Sequence, residues 1–319
     1  MHRSSKFSFR PWSLLLAVTL ALGGGLGQSS AGQSSPVPEG GSVEKTADGF
    51  RFTEGPLWYQ ERLLFTDIPA NTVYQWTPAG STRVFLRPSG HANGLAVSPE
   101  GDLLLAQHDG QVGRLAAESM IAPLAQSYDG KRLNSPNDLT VADDGTIYFT
   151  DPPYGVDEEN RELDFSGVYR LDPDGALTLL SKEFSRPNGI VLSPDESTLY
   201  VNDTDGDIIR AYEVTEEGGI TDGHTFAEME GKEPGNADGM TVDAEGNLYT
   251  TGPGGIWIYS PSGDRLDHIS VPKAPTNVAF GGPGHTTLYV TAQDNVLGVT
   301  HLRVEHGLDQ PNTHGSPPE

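Results

Sequence analysis

One unit recurs six times along this chain, and no other feature restricts its folding so tightly. The segments are EGPLWYQERLLFTD from Glu54, NGLAVSPEGDLLLAQ from Asn93, NDLTVADDGTIYFTD from Asn137, NGIVLSPDESTLYVND from Asn188, DGMTVDAEGNLYTTG from Asp238 and TNVAFGGPGHTTLYVTA from Thr276. Each opens on a polar residue, alternates apolar with polar positions, turns on Gly or Asp, and enters a second apolar run. The starts lie 39, 44, 51, 50 and 38 residues apart. Alternation with period two marks a half-buried strand, and Asp-Gly between two such runs marks a hairpin. A less regular second hairpin often follows, as VYQWTPAG, VYRLDPDG, IIRAYEV and IWIYSPSG. Four strands in about 40–50 residues make one propeller blade. The chain is therefore read as all-β, a six-bladed β-propeller over residues 47–306. Two β-sandwiches would give as many strands but would not require the period.

The flanks read differently. His2, Arg3, Lys6 and Arg10 make a basic start, Trp12 to Leu22 is mostly apolar, and small residues run to Gly32. That is a secretory signal over residues 1–31, cleaved near Ala31. Its apolar run is about half of the roughly 20 residues that span a bilayer, so no stable membrane insertion is expected after cleavage. Export to the periplasm or the medium is the expected localisation. Residues 32–46 read as a Pro/Gly/Ser linker, with a strand near Ser42–Lys45 that could close the ring. Residues 307–319 read as a polar, disordered tail.

Composition narrows the function classes. No cysteine is present, so an exported domain must be stable on its core alone. The net charge of -24 repels nucleic acid and anionic membrane, and attracts cations. A monomer acting on a small molecule is the expectation. The sequence carries no G-x-S-x-G, H-E-x-x-H or cysteine nucleophile. Asp203-Thr-Asp-Gly-Asp207 puts its glycine at the fourth position rather than the sixth. It therefore fails the EF-hand spacing and reads as a hairpin turn, with Asp203 toward the channel mouth.

The innermost strand of each propeller blade runs along the central axis, so equivalent residues form a ring. Here the ring is Glu54, Asn93, Asn137, Asn188, Asp238 and Thr276, all with side-chain oxygen and none with sulfur or imidazole. Convergent carboxylates and amide oxygens suit a hard cation, Ca²⁺ before Mg²⁺, and suit zinc poorly. Asn-Gly and Asp-Gly also mark ordinary turns. Yet the hairpin turns of these units fall later, at Glu100-Gly101, Asp144-Gly145 and Glu245-Gly246. His108 and Tyr154 are placed at the rim, as substrate-pocket wall or as packed side chains. His285 is placed in an exposed turn, and Trp58, Trp76 and Trp257 between blades.

TEGPLW, LNSPNDL with FTDPPYG, RPNGIVLS, NADGMTVDAEGNLY, APTNVAFGG and TLYVTA, in this order and spacing, resemble the senescence marker protein/gluconolactonase/luciferin-regenerating enzyme (regucalcin-like) family over about Gly49 to His306. The resemblance implies a divalent-metal-dependent hydrolase opening sugar lactones. It implies one bound cation, Ca²⁺ or Zn²⁺, with Mg²⁺ or Mn²⁺ also open, held by Glu54, Asn188 and Asp238. Asn137 reaches the metal region or the substrate. Animal members carry an arginine two residues before that asparagine, where this chain has Ser135; Arg132 is not its equivalent.

Lactone opening needs an electrophile on the carbonyl oxygen and an activated water. Asp238 is the candidate general base, and Asn137 would steady the developing oxyanion. Asn93, Asn137, His108 and Tyr154 are the candidate substrate contacts. Other lactonase, aryl-esterase or phosphotriesterase chemistry on the same centre, or a non-catalytic calcium-binding propeller, are the alternatives.

Overall fold

The structure, a computed structural model, describes residues 42–116 and 119–300. The expected signal segment, most of the linker and the tail lie outside them. Six four-stranded antiparallel sheets follow one another along the chain, each a meander from axis to periphery. Blade 1 is Thr53–Tyr59, Arg62–Asp67, Thr72–Thr77 and Ser81–Leu86. Blade 2 is Ala92–Val97, Leu103–Gln107, Gln111–Leu115 and Ile121–Ala125. Blade 3 is Leu139–Val141, Ile147–Asp151, Gly167–Leu171 and Leu177–Ser181. Blade 4 is Pro187–Leu192, Thr198–Asp203, Ile208–Glu213 and His224–Glu228. Blade 5 is Met240–Val242, Leu248–Gly252, Gly255–Tyr259 and Arg265–Ser270.

Blade 6 takes Asn277–Gly281, Thr287–Ala292 and Asn295–Val299 from the end of the chain, and its outer strand, Val43–Asp48, from the beginning. Val43 faces Val299 and Asp48 faces Asn295 in that antiparallel pair. The propeller thus starts at Val43, and its closing strand, expected near Ser42–Lys45, runs on to Asp48.

The second strand of each blade is buried on both faces, as in Ile147–Asp151 and Leu248–Gly252. Such strands need apolar residues at successive positions rather than strict alternation. Their side chains fill six separate cores, each shared by two adjacent blades. Leu104 and Ala106 of blade 2, for example, pack with Phe149 and Tyr169 of blade 3. The seam between last and first blades is built the same way, with Tyr289 and Val296 against Leu63 and Phe65. Trp58 stacks on Tyr289 there at 5.7 Å, and Trp76 meets the same ring edge-on. Trp257 is buried in the core between blades 4 and 5. All three tryptophans therefore lie between blades.

Candidate active site

The six repeat-opening residues sit where the inner strands approach one another, and backbone hydrogen bonds fix their positions. The amide of the residue after one opening residue donates to the carbonyl of the next: Gly94 to Asn137 at 2.8 Å, Gly189 to Asp238 at 3.1 Å, Gly239 to Thr276 at 2.8 Å. Side chains of the second strands reinforce this belt. Thr66 Oγ1 donates to the carbonyl of Asn93 at 3.1 Å, Thr150 Oγ1 to that of Asn188 at 2.7 Å, and Asn202 Nδ2 to that of Asp238. The ladder with the second strand breaks register at these points in blades 1, 2 and 4. Such a bulge re-aims the side chain.

The glycine after the opening residue therefore does not mark a turn. A Cβ on Gly189 would lie 2.2 Å from the Asp238 carbonyl oxygen, and one on Gly94 would lie 2.8 Å from that of Asn137. Neighbouring backbones can come this close only where a side chain is missing.

Glu54, Asn188 and Asp238 come together. The Glu54 charge acts on Asp238, and the Asn188 amide bonds the Asp238 carboxylate. Asn188 Nδ2 also reaches Thr204 Oγ1 at 3.1 Å and the Tyr154 hydroxyl at 3.4 Å. Asn137 is buried, with its backbone amide held by the Thr150 carbonyl at 2.9 Å. Among the described residues its side-chain amide has no hydrogen-bond partner, which leaves it available to a ligand.

Thr276 departs from the ring as the sequence suggested it. Its hydroxyl is spent on the Thr53 carbonyl and on Thr291 Oγ1, both at 2.8 Å, tying the last blade to the first. The sequence reading missed two further residues, Asp138 and Asn277, one position past the ring in opposite blades. The Asn277 amide hydrogen-bonds both Asp138 and Glu54. The signal was present: at this position four blades have glycine, and only these two carry a side chain. Gly55, Asp138 and Asn277 line a cavity of about 750 Å³, with Leu57, Val141 and His285 also in its wall. No opening residue of the ring lines it.

Burial dominates the electrostatics. It raises the Glu54 carboxyl to about 8, with the Asp138 charge adding to the rise and the Gly55 amide at 2.9 Å opposing it. It raises Asp138 to about 7, against hydrogen bonds from Leu139, Asn277 and Ile190. Asp238 is pushed well above the carboxylate range by burial, then by the Glu54 and Asp138 charges. Its residue surface remains partly open, unlike that of the other five ring members.

His108 and Tyr154 form one wall, their rings stacked at 6.5 Å and 20°. His108 Nε2 lies 3.2 Å from Asn93 Nδ2. Burial, with the His91 charge second, lowers its pKa to about 4, so the ring is neutral at pH 7. Tyr154 is 39% exposed, and the Arg186 guanidinium lies 5.6 Å from its ring centre. Arg186 escaped notice in the sequence because it precedes Pro187 as an ordinary strand flank.

Three other placements are settled. Arg132 turns away into the loop, donating to the carbonyls of Leu133 and Asn134 at 2.9 Å, while Ser135 Oγ accepts from the Gly155 amide at 2.8 Å. Neither replaces the arginine of animal members. Asp203 does not face the channel; its carboxylate accepts the amides of Ser185 and Arg186 at 2.8 and 3.0 Å. His285 is half-buried in the wall of the cavity rather than exposed.

Among the described residues, no three His, Asp or Glu side chains converge as a ready-made metal cage. The donors that do meet are two carboxylates, Glu54 and Asp238, with the amide of Asn188; Thr150 ties the backbone of Asn137 to that of Asn188. Two mutually repelling buried carboxylates with neutral oxygen donors fit a hard divalent cation, which would favour their ionised forms. The His108 ring lies against Asn93 instead, and an all-oxygen set suits a hard cation better than zinc.

Known proteins resemble this chain in sequence and fold. A gluconolactonase of Zymomonas mobilis is 38% identical, over 81% of this chain and 80% of its own length. A pentonolactonase of Haloferax volcanii is 29% identical, over 76% and 81%. A solved gluconolactonase of Xanthomonas campestris superposes with a TM-score of 0.76 at 33% identity, covering 82% of this chain and 89% of the other. The calcium-binding protein regucalcin of Agrobacterium tumefaciens shares the fold, with a TM-score of 0.72 at 20% identity over 84% and 96%. Residues 52–294 match the SMP-30/gluconolactonase/LRE-like region. The chain belongs to that family.

Proposed function

We propose that this protein, exported by its amino-terminal segment, hydrolyses sugar lactones with the help of one divalent cation, Ca²⁺ first. The observation that carries the reading is the meeting of Glu54, Asp238 and Asn188, in a chain 38% identical to a gluconolactonase. Glu54, Asp238, Asn188 and Asn137 would hold the cation. When bound, it supplies an electrophile for the lactone carbonyl.

The chain's own residues do the rest. Asp238, partly open to the pocket, takes a proton from the attacking water as its oxygen bonds to the carbonyl carbon. The Asn137 amide donates to the carbonyl oxygen as charge develops there. The ring C–O bond then breaks and the proton passes to the leaving alkoxide, giving a hydroxy acid. The stacked His108 and Tyr154, with Asn93 behind them, form the wall that orients the sugar. A δ-lactone is reactive enough that no covalent nucleophile is needed.

The test is turnover of glucono-δ-lactone, an acyl-lactone and paraoxon by the purified protein, with EDTA and with calcium restored. The reading requires sugar-lactone opening that EDTA abolishes and calcium restores. Turnover unaffected by EDTA removes the cation from the mechanism. Calcium binding without turnover of any ester leaves a binding propeller.

A further inference from the structure

The second strand of a blade ends beside the segment that leads into the same blade's inner strand. In blades 1, 3 and 4 that end is an aspartate: Asp67, Asp151 and Asp203, all buried. Each accepts the two backbone amides lying three and two residues before the ring position. Asp67 takes Arg51 at 3.0 Å and Phe52 at 3.4 Å, ahead of Glu54. Asp151 takes Asn134 at 2.8 Å and also Ser135, ahead of Asn137. Asp203 takes Ser185 and Arg186, ahead of Asn188. A fourth carboxylate, Asp207, takes the Ala237 amide at 2.8 Å, immediately before Asp238.

Blade 5 ends its second strand on Gly252, and blades 2 and 6 have no carboxylate in this role at all among the described residues. At the equivalent strand ends stand Gln107 in blade 2 and Ala292 in blade 6. Gln107 donates to the Ser89 carbonyl instead, at 2.7 Å. Carboxylates thus hold the backbone before the four ring positions assigned to the cation and the reacting carbonyl. They take two amides each ahead of Glu54, Asn137 and Asn188 and one ahead of Asp238, and none does so before Asn93 or Thr276 among the described residues. An ionised carboxylate only accepts, and its bonds to amides are roughly twice as strong as neutral ones. Two consecutive amides on one carboxylate fix the backbone path into the next residues, and so the position of the ring side chain.

We propose that Asp67, Asp151 and Asp203 are positioning residues that set Glu54, Asn137 and Asn188 for the reaction, an inference that rests on the lactonase reading. They touch neither substrate nor cation and act through the backbone. A buried carboxylate at the opposite face provides the control. Asp243 accepts the amides of Glu245 and Asn247 at 3.0 and 2.8 Å within a hairpin, away from the ring.

The experiment compares Asp203→Asn with Asp243→Asn in the full chain. Each variant turns an amide NH₂ toward a backbone donor, so Tm should fall in both. Asp203→Asn should lose about 10–100-fold in kcat/KM for glucono-δ-lactone, as outer partners of a site typically do, with kcat carrying the loss. Asp243→Asn should keep wild-type kcat/KM at a temperature where it is folded. Equal effects of the two variants on kcat, at matched folded fractions, overturn the inference. Should the wild-type protein open no lactone, the proposed function falls, and calcium chloride still tests the clamps. Asp203→Asn must then shrink the calcium-induced rise in Tm while Asp243→Asn preserves it; the same response in all three proteins overturns the inference.

Discussion

Asp238 combines two properties that single residues of the ring do not share: a strongly raised pKa and a surface partly open to the mouth. Asp238→Asn keeps the shape and removes the charge. It should lower kcat on glucono-δ-lactone by about 10²–10⁴-fold, the usual worth of a general base, measured at saturating calcium. A kcat within a few-fold of wild type would take Asp238 out of the chemistry. His108 makes a pH prediction of its own. Its folded pKa of about 4 lies below the ordinary 6.5, because burial penalises the imidazolium. The unfolded chain therefore binds the proton first. This contribution to stability is complete above pH 6.5 and is lost as pH falls toward 4. Tm followed from pH 7 to pH 4 should decline less steeply in His108→Gln than in wild type. At this scale the sequence was informative wherever a side chain opens a repeat, as for Glu54, Asn188 and Asp238. For Asp138 and Asn277 it offered only the break in a column of glycines, and the packed axis is what shows that these neighbours of the ring residues interact with Glu54. Thr276 looked like a ring member by position, but its hydroxyl had a backbone partner in another blade.

An inner strand shows why the repeat was legible and partly misread. Alternation and the later hairpin located every blade, since six interfaces of the same kind demand the same apolar spacing. The Asn-Gly and Asp-Gly pairs carried a second message that composition cannot separate from turn chemistry, namely the close approach of adjacent backbones. Gly189→Ala tests it. Its Cβ would sit 2.2 Å from the Asp238 carbonyl oxygen, with only backbone there to yield. Overpacking of this kind costs about 1–3 kcal/mol, so urea denaturation should show a lower midpoint. Lactone turnover should fall as well, because the displaced residue is Asp238. A variant with wild-type midpoint would show that the belt can open without cost. The aspartates closing the second strands were visible as FTD and VND but had no evident task in the sequence. Their partners lie fifteen to eighteen residues back along the chain, on the segment before the ring.

The whole molecule depends on its first described strand. Val43–Asp48 covers the edge of Asn295–Val299, and the Thr300 amide reaches the Ser42 carbonyl at 3.2 Å. Deleting residues up to Asp48 would expose a row of unpaired backbone groups on a strand buried along its length. Exposed edges of that kind recruit other chains. The truncated protein should show a lower Tm and light-scattering aggregates at concentrations where a chain starting at Ser42 stays dispersed. Equal Tm and dispersion in the two would mean that the ring closes adequately without its borrowed strand.

Gly55, Asp138 and Asn277 line a cavity that no opening residue of the ring reaches, whereas His108 and Tyr154 stack on the other side of the ring residues. On the proposed reading, a sugar bound against His108 and Tyr154 leaves past the same wall. A freshly made hydroxy acid, anionic and already inside, therefore blocks the next sugar until it backs out past the acidic exterior. Added product should accordingly compete with the lactone, raising its apparent KM and leaving the maximal rate alone.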